Sequence, residues 1–574
     1  MSNRPPLRLG RLRQMVAWSR RLALPFLLLA LVACQSESTS TPTPFPLASP
    51  SPVLSNPSPI VPETSSAPLA VASPTLGAYV PRFMGGSIVV AGVGSPGREV
   101  TALPPFIANA LYDSLLQVDP QNGALLPGLA DSFQASADAR TLTFHLRADL
   151  TWQDGQPLTA QDVVWTIKTL SNSASRLAPV ADFGPMADVT ALDPQTVVIT
   201  LSQPYCPALT YIGTMKILPA HILKDKDLSA LTDQEFIGSG PLVLKSWTAN
   251  TITLARNPAY WKGPASIDSW IYKIVATDAE ARAALAAGQV DLWVSDAVHN
   301  TADTNATGVN VMTYPANRFY ALAMSREQSV LGDAQVRQAI ALSLDRQELA
   351  QTLWGKAGLP LATSLLPTFW ATPPDLVVTP SDLAQARQLL AAAGWSDTNG
   401  DGVLDKAGKP LRLSLWAIAD DSVDEPLAFL VRARLAQIGI QALVQLDDRD
   451  ALLTRALLHE YDLALVPWNI PLDPDQHWYW QSTENIKGQG LNVTSYANPQ
   501  VDDLVSRGQQ APACDTTTRR AVYNDLYRTV AGDIPQVVLL SPPVQLFARA
   551  RVRGLVPSSF AGPYWNINRW EVAP

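Results

Sequence analysis

The chain is poor in the residues that build most metal centres and catalytic triads. It has only five histidines and three cysteines among 574 residues. The histidines are scattered, and neither an H-E-x-x-H nor a G-x-S-x-G motif occurs. Metal-dependent hydrolases and triad hydrolases need clustered His, Cys, Asp or Ser residues at recognisable spacing. The sequence therefore predicts a protein that is not an enzyme and that carries no cofactor.

Long basic runs are also missing, and the net charge is −8 at pH 7. Nucleic acids and anionic lipid surfaces are bound through clustered positive charge. We therefore expect no nucleic-acid partner for the folded part of the chain, and we expect a small-molecule ligand instead.

The apolar run near the N-terminus is too short to cross a membrane. It extends over residues 22–33, whereas a spanning helix needs roughly 20 residues. Arginines precede the run, which is typical of a signal peptide over residues 1–33. The sequence Leu31-Val32-Ala33-Cys34 resembles the bacterial lipobox, so Cys34 is predicted to be lipidated and to anchor the mature protein on the extracytoplasmic side, periplasmic or at the cell surface. The alternative is an ordinary signal sequence with an incidental cysteine.

The composition changes after Cys34. Residues 35–79 contain 10 prolines and 15 serines or threonines, with few large apolar side chains. Such a segment cannot form a core. Proline keeps the chain extended, so residues 34–80 are predicted to be a semi-stiff tether.

The remainder, from about residue 81, is long enough for two or three compact lobes. Apolar residues alternate between strand and helix periodicity along it, which predicts a mixed α/β class with sheets flanked by helices. The predicted strands are 87–91, 141–146, 196–201, 290–294, 411–416 and 461–466, and the predicted helices are 160–170, 279–287, 333–350, 382–393 and 425–438.

Two cysteines remain after Cys34, namely Cys206 and Cys514. A disulfide is permitted outside the cytoplasm. Spacing alone does not show whether their Cα atoms come within bonding range, so the pairing stays open.

Several sequence blocks resemble the family 5 solute-binding proteins of ABC importers, which include oligopeptide-, dipeptide- and nickel-binding proteins. The longest block runs from Leu111 to Leu116 and continues from Leu125 to Lys168. Further blocks follow in the family's order, and they are GSGPLVLKSW at 238–247, LARNPAYWKG at 254–263, AGQVDL at 287–292, VRQAIALSLDRQEL at 336–349 and YANPQVDDL at 496–504.

The resemblance implies a two-lobed class-II periplasmic-binding-protein-like fold with an extra subdomain in the first lobe. Lobe I is expected over residues 81–315, with the extra subdomain at about 128–233. Lobe II is expected over 316–537, and residues 538–574 return to lobe I. The crossings are expected near 314–320 and 537–540. Closure of the two lobes around a ligand would then present a shape that a transporter recognises.

The resemblance also places ligand contacts on the loop from Pro467 to Pro474. Trp468 is expected to stack on or line the ligand, with Asn469 beside it, although Trp468 could instead fill the core at the end of its strand. Peptide-binding members carry an aspartate shortly after this tryptophan that pairs with the ligand's amine. Here residues 469–472 contain no acid, and Asp473 matches an Asp-Pro element that fixes a turn.

Other ligand contacts are expected from Arg318, Tyr320, Asn492 and the backbone amides around Gly238 and Gly240. Arg318 could hold a carboxylate in a bidentate pair, or form an exposed structural ion pair. The two glycines could simply permit a tight turn.

The segment 397–408 partly matches an EF-hand calcium loop. Its oxygen ligands would be Asp397, Asn399, Asp401 and Asp405, but the twelfth position is Gly408 in place of the bidentate glutamate. A hairpin or loop rich in Asx turns is the preferred interpretation, and no other metal site is expected.

Together these features predict a monomeric solute-binding component of an ABC importer that passes its ligand to the permease subunits. Peptide is the first expectation for the ligand, with an oligosaccharide or a metal chelate as alternatives. Docking of the loaded protein on a membrane receptor, as a ligand sensor, is a further alternative.

Overall fold

The computed structural model of the chain describes residues 81–171, 183–297, 299 and 308–574. The predicted signal peptide (1–33), the lipidation site at Cys34 and the predicted tether (34–80) lie outside these ranges. None of the described helices combines the length and the apolar character that crossing a membrane requires.

The strands of the described residues are numbered in chain order. They are β1 Ser87–Val93, β2 Leu116–Val118, β3 Leu125–Pro127, β4 Ala130–Ala135, β5 Thr141–Leu146, β6 Met186–Asp193, β7 Thr196–Leu201, β8 Leu242–Trp247, β9 Thr251–Arg256, β10 Ser269–Val275, β11 Leu292–Ser295, β12 Val309–Pro315, β13 Arg318–Met324, β14 Leu359–Pro360, β15 Asp405–Lys406, β16 Lys409–Pro410, β17 Arg412–Ile418, β18 Gln441–Asp447, β19 Leu463–Asn469, β20 Gln536–Ser541, β21 Pro543–Arg549, β22 Val552–Arg553 and β23 Glu571–Val572.

The α-helices of the same ranges are numbered in the same way. They are α1 Pro105–Leu111, α2 Ala160–Ser171, α3 Pro207–Thr214, α4 Ala220–Leu223, α5 Asp278–Ala286, α6 Ser329–Gly332, α7 Ala334–Ser343, α8 Arg346–Trp354, α9 Leu383–Ala392, α10 Asp424–Ala436, α11 Arg449–Leu457, α12 His477–Trp480, α13 Pro499–Gln509 and α14 Thr516–Asp533.

Two large mixed sheets organise the fold. The seven-stranded sheet has the order β12-β21-β11-β1-β10-β9-β8, with β1 parallel to both β10 and β11. The six-stranded sheet has the order β14-β20-β13-β19-β17-β18, with β17 parallel to both of its neighbours. Each sheet has apolar clusters on both faces. This arrangement of helices around mixed sheets confirms the predicted α/β class.

A third, antiparallel sheet with the order β4-β5-β7-β6 has its own core. On β5, Leu142, Phe144 and Leu146 point into this core, as the alternation of TLTFHL predicts. Helices α2 and α3 pack on the same core. We call β4 to β7 with α2 and α3 the four-stranded subdomain.

The six strands and five helices predicted from the sequence are a minority of these elements, and most of them lie close to their predicted bounds. Strands β5 and β7 have the predicted bounds, and α9, α10 and β17 differ from prediction by at most two residues at either end. The single helix predicted over residues 333–350 is wrong, because Leu344 is extended between α7 and α8. Asp345 caps α8 by accepting a hydrogen bond from the Glu348 backbone amide at 3.0 Å, which ends one helix and starts the next.

Candidate functional site

The chain passes twice between the two large sheets. It leaves the seven-stranded sheet at Pro315 and enters the six-stranded sheet at Arg318, and it returns between Ser541 and Pro543. The two crossings lie side by side, because the Ala316 amide donates to the Pro542 carbonyl at 2.8 Å and the Ser541 hydroxyl donates to the Ala316 carbonyl at 2.9 Å.

The positions of the crossings indicate at which edge of each sheet a ligand would bind. In the six-stranded sheet, Arg318 at the start of β13 pairs with Asn469 at the carboxyl end of β19. In the seven-stranded sheet, Ser295 at the carboxyl end of β11 pairs with Gln545 at the start of β21. The carboxyl ends of the parallel strands of both sheets therefore lie on the side of the crossings, where open α/β sheets bind ligands.

Three of the predicted ligand residues come together at this edge of the six-stranded sheet. Arg318 and Asn469 are directly opposite each other, and Tyr320 lies opposite Pro467 two residues further along. Asn469 is exposed and Arg318 is half-buried, and the Arg318 Nε has no hydrogen-bond partner among the described residues. Tyr320 is only 3% exposed, and this burial raises the pKa of its hydroxyl. Arg318 and Asn469 thus present polar groups at the edge, whereas Tyr320 belongs to the core.

Trp468 points to the opposite face of the sheet from Arg318 and Asn469. It is 9% exposed, packs in a cluster with Phe319, and has its ring centroid 4.5 Å from that of Tyr479. Its indole N–H has no acceptor among the described residues. This burial favours a core role for the side chain, and contact with a ligand stays a prediction.

Asp473 is held inside the protein. The carboxylate accepts bonds from Arg519 at 2.6 and 3.0 Å, from the Thr210 hydroxyl at 2.7 Å and from the Asp475 amide at 3.0 Å. Its side chain is fully buried. Asp473 therefore has no free oxygen for the amine of a ligand.

Asn492 is a structural residue rather than an accessible polar group. It is fully buried, its Nδ2 donates to the carbonyls of Gln481 and Tyr496 at 3.1 and 2.8 Å, and its Oδ1 accepts from the Tyr496 amide at 3.1 Å. The side chain closes the loop before α13. This bonding favours a structural role for Asn492, and its contact with a ligand stays a prediction.

The amides of Gly238 and Gly240 are likewise used within the protein. Gly238 donates to the Gln153 side chain at 2.9 Å, and Gly240 donates to the Leu111 carbonyl at 2.8 Å. A Cβ on Gly238 would lie 1.8 Å from that same carbonyl oxygen. Glycine is required here because the backbone at the end of α1 approaches closely. Both amides are therefore bonded within the protein, and ligand contact at these glycines stays a prediction.

The partial calcium motif forms a loop closed by its own hydrogen bonds. Asp397 accepts from the amides of Gly400 and Gly402 at 2.7 and 3.0 Å, and Asn399 accepts from the Asp401 amide at 2.9 Å. These backbone donors, that of Gly402 most strongly, lower the pKa of Asp397. Asp405 begins the short β15–β16 hairpin. The preferred Asx-turn interpretation matches this geometry.

No group of three or more His, Cys, Asp or Glu side chains suited to a metal ion occurs in the described part of the chain. The four calcium candidates are therefore not brought together as a metal site there.

An acidic segment that was not predicted from the sequence lies at the same sheet edge. Asp420 and Asp421 follow β17, and Asp424 begins α10. Asp421 accepts from the amides of Val423 and Asp424 at 2.9 and 3.0 Å, and Asp420 is exposed. The run DDSVDE at 420–425, three residues beyond the predicted strand 411–416, was the available signal.

Asp424 is an unusual member of this segment because it is fully buried. One of its oxygens accepts from the Ile418 amide at 3.3 Å, and the other has no partner among the described residues. Burial, and secondarily the charge of Asp421, raises the pKa of Asp424 to about 7. The folded protein thus retains a proton at pH values where the unfolded chain has lost it.

Replacing Asp424 with asparagine should stabilise the protein at pH 8. A pKa raised from 3.8 to about 7 means that stability falls as pH rises through this window, by an amount on the order of 4 kcal/mol. The asparagine side chain would keep an oxygen for the Ile418 amide but could not ionise. Thermal unfolding of wild type and D424N between pH 4 and 8 should give a flatter profile for the variant. Equal slopes for D424N, wild type and the exposed control D503N would contradict a buried neutral carboxyl.

Comparison with known proteins agrees with this architecture. The model of the bacterial extracellular solute-binding proteins, family 5, matches residues 124–489. The oligopeptide-binding protein AppA of Bacillus subtilis is 26% identical over 507 residues, covering 85% of this chain and 92% of the relative.

Solved structures give the same result. The structure of Bacillus subtilis AppA in complex with a nonapeptide has a TM-score of 0.66 at 26% identity and covers 86% of this chain and 100% of that one. The ABC transporter substrate-binding protein CtaP of Listeria monocytogenes shares the fold with a TM-score of 0.74 at 24% identity, over 86% of this chain and 100% of that one. The family match covers more than half of the sequence. The chain therefore belongs to the family 5 extracellular solute-binding proteins, which capture solutes outside the cytoplasm for ABC importers.

Proposed function

We propose that this protein captures a peptide between two closing lobes and delivers it to the permease of an ABC importer. The proposal rests on one observation. The two chain crossings lie side by side, next to the edges of both large sheets at which the parallel strands end. The relationship to an oligopeptide-binding protein over most of the chain supports peptide as the ligand.

The lobes are proposed as the sequence predicts them, except at the return crossing. The prediction gives lobe I as residues 81–315 with the extra subdomain at about 128–233, lobe II as 316–537, and 538–574 as the return to lobe I. The strand β20 still pairs within the six-stranded sheet, so the hinge of the return crossing is proposed at Ser541–Pro543. Hinges of this kind absorb a change of backbone angles over a few residues.

The ligand site is proposed at the edge of the six-stranded sheet formed by Arg318 and Asn469. Trp468 lies on the opposite face of this sheet and would border the site from there. Arg318 would pair with a carboxylate of the peptide. The amine would be held by the exposed Asp420, which would replace the aspartate that the Trp468 loop lacks.

Anchoring to the membrane through a lipidated Cys34, export by the signal peptide 1–33, the tether 34–80 and a monomeric state are parts of the same proposal. They follow from the lipobox resemblance and from the composition of residues 35–79. The proposed role is that of a binding protein without catalytic activity, working with the permease subunits.

Thermal unfolding with added ligand tests the ligand class. A nonapeptide library, oligosaccharides and nickel–histidine should each be added to the purified protein. A ligand at 100 times its dissociation constant adds about 2.7 kcal/mol of stability, so a true ligand gives a clear upward shift of the midpoint. A shift with peptides is expected. A shift with oligosaccharides and none with peptides would contradict peptide binding and would mark the missing aspartate as a change of specificity.

Replacing Arg318 with glutamine should weaken peptide binding at least tenfold, because the charge-assisted pair with the carboxylate is lost. Calorimetric titration with the peptide from the screen measures the effect. Arg412 is the matched control, since it is exposed at the opposite end of the same sheet at the start of β17. Equal affinities of R318Q and R412Q would contradict the placement of the site.

A further inference from the structure

One cation and one carboxylate without partners lie at the edge of the six-stranded sheet where β17 and β19 end. Among the described residues, the guanidinium of Arg318 forms no ion pair, and the carboxylate of Asp420 accepts no hydrogen bond. Arg318 is half-buried and Asp420 is exposed. Both charges are therefore available to a ligand at this edge.

The other charges near Asp420 are engaged within the protein. Asp421 pairs with Arg449 at 3.3 Å, and Glu425 accepts from the Asp420 amide at 3.1 Å. Asp424 is fully buried. In this acidic segment, Asp420 is thus the carboxylate that is both exposed and without a donor.

Arg318 and the loop that contains Asp420 lie on the same face of the sheet. Tyr320 shares a face with Arg318, because side chains two residues apart on a strand point the same way. Tyr320 packs in the core that α10 covers, so the loop from β17 to α10 turns onto this face. Burial raises the pKa of the Tyr320 hydroxyl, and the nearby charges of Arg318 and Asp421 act on it in opposite directions. The basic and acidic groups therefore surround one point.

The strand register sets the separation of the two charges. Strands β13, β19 and β17 are neighbours in that order, and β19 runs parallel to β17. Continuing their register past the end of β17 puts Asp420 beside Trp468, one residue before the Asn469 that pairs with Arg318. The backbones of Arg318 and Asp420 are thus nearly level and two inter-strand spacings apart, which is about 10 Å.

The side chain of Arg318 has little freedom to shorten this separation. Its Nε is buried, so the outer end of the guanidinium is the part that can meet a ligand. No ion pair joins Arg318 to Asp420 in the described part of the chain, as expected for groups on either side of a whole strand. A ligand that uses both charges must therefore cross β19.

A short peptide carries opposite charges at this separation. An extended chain spans at most about 3.3 to 3.6 Å per residue, so the two ends of a tripeptide are about 10 Å apart. A dipeptide reaches only about 7 Å, and a nonapeptide extends to about 30 Å. Asn469 is exposed between the two charges, and its side chain offers a donor and an acceptor to the middle of the peptide.

We propose that the ligand is a free tripeptide, whose amine binds Asp420 and whose carboxylate binds Arg318 across β19. The proposal rests on the proposed peptide-binding function, to which it adds the length of the peptide and the need for two free ends. Charge-assisted hydrogen bonds form at both ends together only near this length. A longer peptide leaves one charge unbound or folds back, and folding back costs conformational entropy.

Calorimetric titration of the purified protein with peptides of different length tests this inference. Peptides of alternating alanine and serine, with two, three, five and nine residues, differ mainly in their span. The tripeptide should bind at least tenfold more tightly than the dipeptide and the nonapeptide, since each of these loses one charge-assisted pair. Equal affinities for the tripeptide and the nonapeptide would overturn the inference and leave peptide binding intact. If no peptide of any length binds, the proposed function fails with it.

Blocked peptide ends and two variants show which charge holds which end. Acetylation of the tripeptide amine should weaken binding to the wild type at least tenfold but change binding to Asp420→Asn little, because the partner of the amine is already lost. Amidation of the carboxylate should act in the same way with Arg318→Gln. Asp503→Asn removes an exposed carboxylate of α13 and should behave as the wild type does. Acetylation that weakens binding to the wild type and to D420N equally would overturn the placement of the amine.

Discussion

Replacing Arg519 with methionine is expected to lower the free energy of unfolding by about 3 to 5 kcal/mol. The change leaves the fully buried Asp473 carboxylate with only neutral donors, the Thr210 hydroxyl and a backbone amide. An uncompensated buried charge is costly because it has lost its water without gaining a counter-charge. Chemical denaturation followed by tryptophan fluorescence measures the effect.

Two further variants make this result specific. Arg507→Met removes an exposed ion pair with Asp503, in which both side chains are more than half accessible, and should change stability little. Asp473→Asn in the R519M background should recover part of the loss, since an amide needs no counter-ion. Equal stabilities of R519M and R507M would show that the buried pair has no structural role.

The double variant Cys206→Ala/Cys514→Ala should be less stable than the wild type by about 2 to 4 kcal/mol. The disulfide closes a loop of 308 residues, so its loss greatly increases the freedom of the unfolded chain. Alanine fits at both positions because the buried neighbours of the two cysteines, Ala139 and Ala511, are themselves small.

Dithiothreitol provides the matched measurement for this second prediction. It should lower the unfolding midpoint of the wild type to that of the double variant, and it should leave the double variant itself unchanged. A wild-type midpoint that does not respond to full reduction would contradict a stabilising role of the disulfide.

Much of the secondary structure could be predicted from the sequence, because local patterns decide it. The alternation in TLTFHL and TVVITL identified β5 and β7 with their bounds, since one face of each strand is buried. Helix periodicity over residues 333–350 did not reveal the break at Leu344, because the apolar spacing continues through it. The N-cap potential of Asp345 was the signal that decided the boundary.

The candidate site was only partly predictable. Arg318 and Asn469 were predicted separately as ligand residues, and the register of β13 and β19 brings them together. Asn492 and Gly238 were expected to offer polar groups, yet both are bonded within the protein. The type of a residue determines which hydrogen bonds it can form. Only its neighbours in the folded protein show whether those hydrogen bonds are already formed within the protein.

By itself the sequence determined the class of the fold, the type and order of the strands and helices with clear periodicity, the tether composition and the family, since these depend on local periodicity and on ordered motifs. Only the tertiary structure decided that Cys206 pairs with Cys514, that Asp473 is neutralised by Arg519, and that Asp424 is buried beside Ile418. The physical reason is the same for all three. Each depends on burial and on how the chain packs around it, and the partners of the first two come from segments tens to hundreds of residues away.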